Sequence, residues 1–293
     1  MGQAGSVAFQ EKELDVFRGS DQSILNCEVG PDGKVLATCS ADSTIYLWRL
    51  PTDTEPGELL QSLKGHKQEV TSCAFSGPIL ASASQNGGYF VAPQDRKKSF
   101  TYRLSLLSAV HSGPVYDCVF SNDGGALATS SKDTTIRRFK IKPGAGEFVP
   151  GTDTLTLSGK DGHKSTVSAL AFTPDDAFII SGCEDGVIKK WSRTEGQCTE
   201  TQDSRYGPVR SIRFPIRFSP ADREEVFASL SGSNIVVWNM RDSMEIRKVL
   251  DTQGRHMQAI CFVPGSSYLV GVSSDNCLSV WDPLSQNPRP ISV

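Results

Sequence analysis

The sequence predicts an all-β protein, and three observations support that prediction. Six segments share one pattern, and their matching positions lie 42 to 52 residues apart. These positions are Val29, Phe75, Phe120, Phe172, Phe214 and Phe262. All four tryptophans fall on one further position of the pattern, as Trp48, Trp191, Trp238 and Trp281. Within each segment, short apolar stretches alternate with turns rich in Pro, Asp and Gly, which is typical of antiparallel strands.

Each repeat contains four predicted strands. A first stretch such as VTSCAF leads into a turn, a second such as KVLATCS meets a tight turn carrying Asp, and TIYLW follows as the third. A fourth fits between repeats, as in ELLQSLKG and TLTLSGK. Four strands repeated every ~40–45 residues describe the blades of a β-propeller. The blades are centred on 23–50, 69–95, 114–141, 166–194, 208–242 and 256–286 of a single domain covering 1–293.

The number of blades and the closure of the ring follow from the repeat length. Six repeats at the observed spacing leave no room for a complete seventh blade, unless a longer protein supplies one. An open sheet edge favours aggregation, so we expect the ring to close. The segment VAFQEKELDVF (7–17) has the composition of a strand and is predicted to close blade six beside Val280. RPISV at the C-terminus is a competing donor.

The composition of the chain and the absence of several known motifs argue against some classes of function. The chain carries 30 Lys and Arg against 33 Asp and Glu, which argues against a nucleic-acid partner. The eight cysteines form no C-x-x-C pair, so no metal site is predicted and free thiols are expected. Neither a G-x-S-x-G elbow nor a phosphate or dinucleotide loop occurs. We therefore predict no catalytic residue, no cofactor and no enzymatic activity.

Several motifs recur in register with these repeats. Gly65-His66 and Gly162-His163 precede first strands, and SADSTIYLW has the variants SKDTTIRRF, CEDGVIKKW and SSDNCLSVW. The dipeptide Trp281-Asp282 ends the last of them. Over residues 8–285 the chain resembles the WD-repeat β-propellers.

This resemblance implies a buried polar network in each blade, because polar groups inside a sheet need partners. In the family a loop His bonds the turn Asp, a strand Ser or Thr bonds the His, and the Trp indole completes the chain. Blade four has the full set, His163, Ser181, Asp185 and Trp191. Blade three has His111, Thr129 and Asp133, and blade one has Thr38, Asp42 and Trp48. Blade five retains only Trp238, and in blade six Gly271 replaces the hydroxyl residue.

The resemblance also implies a function in binding proteins or peptides. Similar propellers bind partners on the top face, at the start of the first strands and before the turn Asp. The predicted contact residues are Glu69, Thr71, Tyr116, Lys132, Thr166, Ser168, Glu184, Arg210, His256 and Gln258. A non-catalytic scaffold or adaptor is the function predicted from this pattern.

A substrate receptor of a cullin-RING ubiquitin ligase is the alternative function. Such receptors carry a W-D-x-R box, and Trp238-Asn239-Met240-Arg241 is similar, with Asn in place of Asp. Loss of co-purifying ligase subunits on Arg241→Ala would support it.

The first residues match one modification motif. Met1-Gly2-Gln3-Ala4-Gly5-Ser6 fits the M-G-x-x-x-[ST] pattern, so Gly2 is a candidate for N-myristoylation, alongside an unmodified terminus. A membrane partner is expected only if Gly2 is acylated, and one acyl chain gives marginal binding. The expected compartment is the cytoplasm, with the nucleus as the alternative.

Overall fold

A computed structural model of the chain describes residues 19–52, 54–93, 102, 105–107, 111–141, 154–215, 226–240, 243–263, 265–285 and 291–292. These residues contain 24 strands and no helix. The strands form six antiparallel sheets of four, each built from consecutive strands. The prediction of an all-β protein with six four-stranded blades is thus confirmed.

The strands of the first three blades run as follows. Blade one contains β1 (Ile24–Val29), β2 (Val35–Ser40), β3 (Thr44–Arg49) and β4 (Glu58–Lys64). Blade two contains β5 (Val70–Ser76), β6 (Ile79–Ser84), β7 (Tyr89–Pro93) and β8 (Ser105–Leu107). Blade three contains β9 (Val115–Phe120), β10 (Ala126–Ser131), β11 (Ile136–Lys140) and β12 (Thr154–Leu157).

The last three blades have the same order. Blade four contains β13 (Val167–Phe172), β14 (Phe178–Cys183), β15 (Val187–Ser192) and β16 (Cys198–Asp203). Blade five contains β17 (Val209–Arg213), β18 (Val226–Ser231), β19 (Asn234–Asn239) and β20 (Glu245–Leu250). Blade six contains β21 (Met257–Phe262), β22 (Leu269–Ser273), β23 (Leu278–Trp281) and β24 (Ile291–Ser292).

The hydrophobic core lies between the blades. Five clusters of buried residues each join one blade to the next, from the pair one–two to the pair five–six. Between blades one and two, Cys39 and Leu47 pack with Val70 and Cys73. Strand residues alternate between the two faces of a sheet, so each blade buries one face against the blade before it and the other against the blade after it.

The outer position of the last sheet is taken by the C-terminal segment. Ile291 pairs with Val280 and Ser292 pairs with Ser279. The sequence analysis predicted residues 7–17 at this place, and two residues of the competing donor RPISV, Ile291 and Ser292, occupy it. Residues 7–17 themselves lie outside the described residues.

The first strands of the blades surround a central cavity of about 570 Å³. Asp117 of β9 lies at its wall and accepts three hydrogen bonds from neighbouring blades and its own. The donors are Ser72 Oγ at 2.9 Å, Cys118 N at 2.9 Å and Leu170 N at 3.0 Å. Burial is the main influence on the carboxyl and raises its pKa. This carboxylate links blades two, three and four around the cavity.

Candidate partner-binding face

One backbone hydrogen bond recurs in all six blades and defines one end of the ring. It joins the residue after the second strand to a carbonyl at the start of the first strand. The bonds are Ala41 N to Ser23 O, Gln85 N to Glu69 O, Lys132 N to Pro114 O, Glu184 N to Thr166 O, Gly232 N to Pro208 O, and Ser274 N to His256 O, at 2.8–3.1 Å. We call the surface formed by these twelve residues and their loops the top face. The two sets of predicted contact positions therefore meet at one end of the molecule.

The turns of the top face are fixed by their own side chains. Asp133 Oδ1 accepts from Thr135 N at 3.0 Å, and Asp42 and Asp185 hold Thr44 N and Val187 N in the same way. The residue after the Asp has a positive φ, 68° at Thr134 and 89° at Gly186. Such a turn presents the residue before the Asp outward on a rigid frame.

The structure divides the ten predicted contact residues into three groups. Exposed residues are Lys132, Glu184, Arg210, His256 and Gln258. Within the described part of the chain, their side chains make no hydrogen bond or ion pair. Tyr116 and Glu69 are half-buried, and Gln85 Nε2 donates to Glu69 Oε2 at 2.7 Å. Thr71, Ser168 and Thr166 form the third group.

The side chains of the third group form contacts within the propeller. Thr71 Oγ1 donates to Val115 O at 2.7 Å, and Ser168 Oγ donates to Val209 O at 2.5 Å. Each bond connects a first strand to the first strand of the following blade. Thr166 is buried, with 8% of its surface exposed. Thr71 and Ser168 are partly exposed and connect neighbouring first strands, whereas Thr166 fills its blade.

Two further residues of the top face escaped the sequence analysis. Arg205 and Tyr206 lie in the loop before blade five and are exposed, Tyr206 by 38%. Arg205 has a φ of 62°, and Asp203 Oδ1 accepts its backbone N–H at 2.8 Å. An Arg-Tyr pair followed by Gly-Pro was the available signal, because aromatic and Arg residues dominate binding hot spots.

In blade three the predicted contacts among His, Thr and Asp form. His111 Nδ1 lies 2.9 Å from Asp133 Oδ2, and His111 Nε2 lies 2.8 Å from Thr129 Oγ1. Burial opposes ionisation of Asp133, but hydrogen bonds from Thr135 and the charge of His111 outweigh it and lower the pKa to about 2. Phe139 takes the place of the tryptophan in this blade.

The network of blade four differs from the prediction. His163 Nε2 lies 2.6 Å from Ser181 Oγ, which also accepts from Trp191 Nε1 at 2.7 Å. Among the described residues His163 Nδ1 has no hydrogen-bond partner, so the predicted bond to Asp185 does not form. Asp185 instead accepts from Cys183 Sγ and from Val187 N. Burial, aided by Lys189, lowers the pKa of His163 to about 3.

The other blades keep parts of the network. In blade one Trp48 Nε1 donates to Thr38 Oγ1 at 3.0 Å, while Asp42 accepts from Tyr46 Oη at 2.7 Å. Trp238 of blade five donates to Ser229 Oγ, a partner that the sequence analysis missed. In blade six Trp281 Nε1 donates to Asp251 O at 3.0 Å, and a Cβ atom on Gly271, at the position of the hydroxyl residue, would lie 2.9 Å from Trp281 Cζ3. In these five blades every histidine and tryptophan of the network has a hydrogen-bond partner.

A sequence model of the WD domain, G-beta repeat, matches residues 11–49, 57–88, 104–140, 152–192 and 247–282. These ranges cover more than half of the chain and leave out most of blade five. The chain belongs to the WD-repeat family.

Several WD-repeat relatives match most of the chain. The nuclear distribution protein PAC1 of Coccidioides posadasii is 27% identical over 282 residues, which is 86% of this chain and 55% of that protein. The anaphase-promoting complex subunit cdc20 of Dictyostelium discoideum is 26% identical over 265 residues, 89% and 49% of the two lengths. The nuclear distribution protein nudF of Aspergillus niger is 25% identical over 278 residues, 88% and 58%. The chain thus spans about half the length of these relatives.

Two further sequence features, the Trp238–Arg241 box and Gly2, lie partly or wholly outside the described residues. In the Trp238–Arg241 box, Trp238 is buried and stacks on Phe227 at 5.7 Å between ring centroids, while Arg241 lies outside the described residues. Gly2 also lies outside them. Within the described part, no group of three or more His, Cys, Asp or Glu could hold a metal ion, and no helix could cross a membrane.

Proposed function

We propose that the chain is a non-catalytic adaptor that binds a protein or peptide partner on its top face. The observation that supports this is a set of exposed, unpaired side chains presented by four successive blades. They are Lys132, Glu184, Arg205, Tyr206, Arg210 and His256. The frame behind them is fixed by the recurring backbone bonds, so a partner can dock without ordering the loops.

The composition of this set suits a protein partner. Tyr and Arg are enriched among the residues that contribute most to protein–protein binding. Tyr206 presents an exposed ring, and Arg205 and Arg210 lie before and on the first strand of the same blade. We therefore place the centre of the proposed contact on blade five.

The relatives support the class of function. One of them is named as a subunit of a complex, and WD-repeat propellers in general carry no catalytic activity. We propose neither cofactor nor nucleic acid for this chain, and we expect it in the cytoplasm, with the nucleus as the alternative. We propose no partner of these relatives for this chain, because the chain spans only about half of their length.

Co-purification with matched variants tests this proposal. The tagged chain is isolated from its native cells as wild type, Arg210→Glu and Tyr206→Ala, and the bound proteins are quantified by mass spectrometry. Lys34→Glu is the control, because Lys34 is exposed in the β1–β2 turn at the opposite end of blade one. We expect a set of proteins that wild type and the control retain and that both top-face variants lose at least tenfold.

Two results would oppose the proposal. A set of bound proteins that is the same for all four chains would place the contact elsewhere. Cullin-RING ligase subunits that are lost on Arg241→Ala, but not on Arg210→Glu, would favour the receptor function. Melting temperatures within error of wild type would show that the variants are folded.

A further inference from the structure

The boundary between blades six and one, which we call the seam, differs from the other five. Each of the other boundaries contains a cluster of buried hydrophobic residues. None of these clusters, which are built from described residues, joins blade six to blade one. Among the described residues nine large apolar side chains are exposed, and eight of them belong to these two blades. Leu59 lies on the outer strand β4, and the other seven face or flank the seam: Ile24, Leu25, Val29, Val263, Tyr268, Val272 and Leu278.

The first wall of the seam is β1, whose residues are of a type that is buried elsewhere. Ile24, at the start of β1, pairs with Ser40 at the end of β2. In each of the other blades the first residue of the first strand pairs in the same way with the end of the second strand, as Val70 does with Ser84. Those residues are Val70, Val115, Val167, Val209 and Met257, and each is 0% exposed. Ile24 is 50% exposed and Val29 also 50%. The sequence of β1 therefore suits contact with a covering layer.

The second wall is the face of blade six turned toward blade one. Val272 is 41% exposed, whereas Cys39, Ala83 and Leu230 at its repeat position are 0% exposed. Leu278 is 39% exposed, whereas Ile45, Ile136, Ile188 and Ile235 at its position are 0% exposed. Both walls thus carry core residues that the described chain leaves uncovered.

A crevice of about 440 Å³ lies between the walls. Its lining includes Ile24, Leu25 and Cys27 on one side and Ile260, Cys261 and Val272 on the other. An apolar surface with two facing walls is unfavourable in water and marks a site that another segment or molecule covers. An occupant must present apolar groups to both walls, and it meets polar side chains where the crevice joins the central cavity, at Asn26, Glu28 and Arg213.

The chain enters blade one on the side of this crevice. A Cβ atom on Gly19 would lie 2.6 Å from Trp48 Cζ2, so the backbone passes directly against that ring. Ile45 and Leu47 pack toward blade two, and Tyr46 and Trp48, which alternate with them, face the seam. Residue 19 therefore already lies on the seam side, and residues 1–18 precede it.

We propose that the segment 7–17 lies in the seam and covers both walls. The edge of the last sheet beside Val280 is taken by Ile291, so this segment has no place there. In an extended conformation Leu14 and Val16 share one side. Phe9 and Phe17 share the other side with three acidic residues, so both sides carry apolar groups and one also carries charge: Glu11, Glu13 and Asp15. Its short connection to Gly19 gives it a high effective concentration at the crevice, above that of a free molecule.

The native cysteines allow a direct test. Cys27 and Cys261 are exposed residues that line the crevice, whereas Cys39, Cys73, Cys118 and Cys183 are buried in the blades. The alkylation rate of each thiol is measured by mass spectrometry on the full chain and on the chain without residues 1–17. We expect Cys27 and Cys261 to react at least tenfold faster after the deletion. The buried thiols report whether the blades stay folded.

A second pair of variants covers the case in which the deletion unfolds the protein. Leu14→Asp combined with Val16→Asp in the full chain should also raise both rates tenfold, and Gln10→Asp should leave them unchanged. Equal, fast alkylation in all chains would mean an open crevice and overturn the proposal. Equal, slow alkylation would overturn it as well. A monomer by light scattering would then indicate direct packing of blade six on blade one, and a dimer would indicate a second copy in the seam.

Discussion

The histidines of blades three and four occupy the same repeat position but make different hydrogen bonds. In blade three, Thr135 Oγ1 donates to Asp133 Oδ1 at 2.7 Å and lies 3.2 Å from His111 Nδ1. Val187 stands at the position of Thr135 in blade four and has no hydroxyl. Without that group the turn aspartate faces Cys183, where burial and the carboxylate raise the pKa of the thiol to about 12. The His–Asp contact is therefore present in the blade that has the Thr135 hydroxyl and absent in the blade that has Val187 instead.

The two aspartates should therefore contribute unequally to stability. Replacing Asp133 by Ala removes the acceptor of His111 Nδ1 and of Ser112 N, and an unsatisfied buried group costs about 1–3 kcal/mol. Asp185→Ala leaves the contacts of His163 intact and should cost about 1 kcal/mol or less. The free energy of unfolding in urea measures both. Equal losses would show that His163 depends on Asp185 in solution.

His163 should make the protein sensitive to acid. Its pKa is lowered to about 3 in the folded chain, whereas an unfolded His has a pKa of about 6.5. Between these values the unfolded chain binds a proton that the folded chain does not, so stability falls as the pH falls from 6.5 toward 3. Each pH unit in that window costs about 1.4 kcal/mol. His163→Gln should reduce the slope of unfolding free energy against pH by this amount; an unchanged slope would contradict it.

At the scale of elements, the first strands are held together by side chains as well as by packing. Asp117 connects three blades, and Thr71 and Ser168 each donate to the next first strand. All of these residues lie near the central cavity or the top face. The spacing of the blades around the axis is therefore set by bonds across blade boundaries.

Removing the carboxylate of Asp117 tests this arrangement. Asp117→Ala leaves Ser72 Oγ and Leu170 N without their acceptor and should lower the free energy of unfolding by about 1–3 kcal/mol. Asp117→Asn keeps one acceptor oxygen and should lose less. Chemical denaturation followed by tryptophan fluorescence gives both values. Identical stabilities of the two variants would mean that water replaces the carboxylate.

The sequence was sufficient for the strands and their order, because apolar alternation and turn residues are local signals. It also placed the tryptophans, the histidines and the turn residues in register. The hydrogen bonds of the Thr71 and Ser168 hydroxyl groups were not predictable from the sequence. The carbonyl that accepts each bond belongs to the next blade, about 40 residues away in the chain. Asp185 shows the same limit of sequence analysis. The position of Asp185 in the repeat predicts that His163 and Cys183 lie near it, but not which of the two donates a hydrogen bond to its carboxylate. Ile24 resembles Val70 in sequence, and only the structure shows that it lacks cover.

At the scale of the whole molecule, cohesion varies around the ring. Blades three and four are joined by a hydrophobic cluster and by polar contacts at the end opposite the top face. Asp176 accepts from the backbone N–H groups of Asn122 and Asp123 at 2.8 Å, and Arg193 lies 2.9 Å from Asp123. Blade six has a cluster on one side and the seam on the other.

Hydrogen exchange should report this difference. Local opening begins where few contacts hold an element, so amides of β21–β23 should exchange faster than those of β10 and β14. Exchange followed by peptide mass spectrometry compares these strands within one sample. Uniform protection around the ring would show that the seam is held as firmly as the other boundaries.

The recurring bond of the top face has a consequence for how new specificities arise. It joins main-chain atoms only, so the bond itself places no demand on side chains, and of the twelve residues that make it Gly232 and the buried Thr166 are the ones that packing constrains. Those present range from Ala and Gly to Lys, Glu and His at equivalent places. Substitutions there can accumulate one at a time while the scaffold stays the same. Gene duplication and drift could therefore retarget such a disc to a new protein without rebuilding any blade.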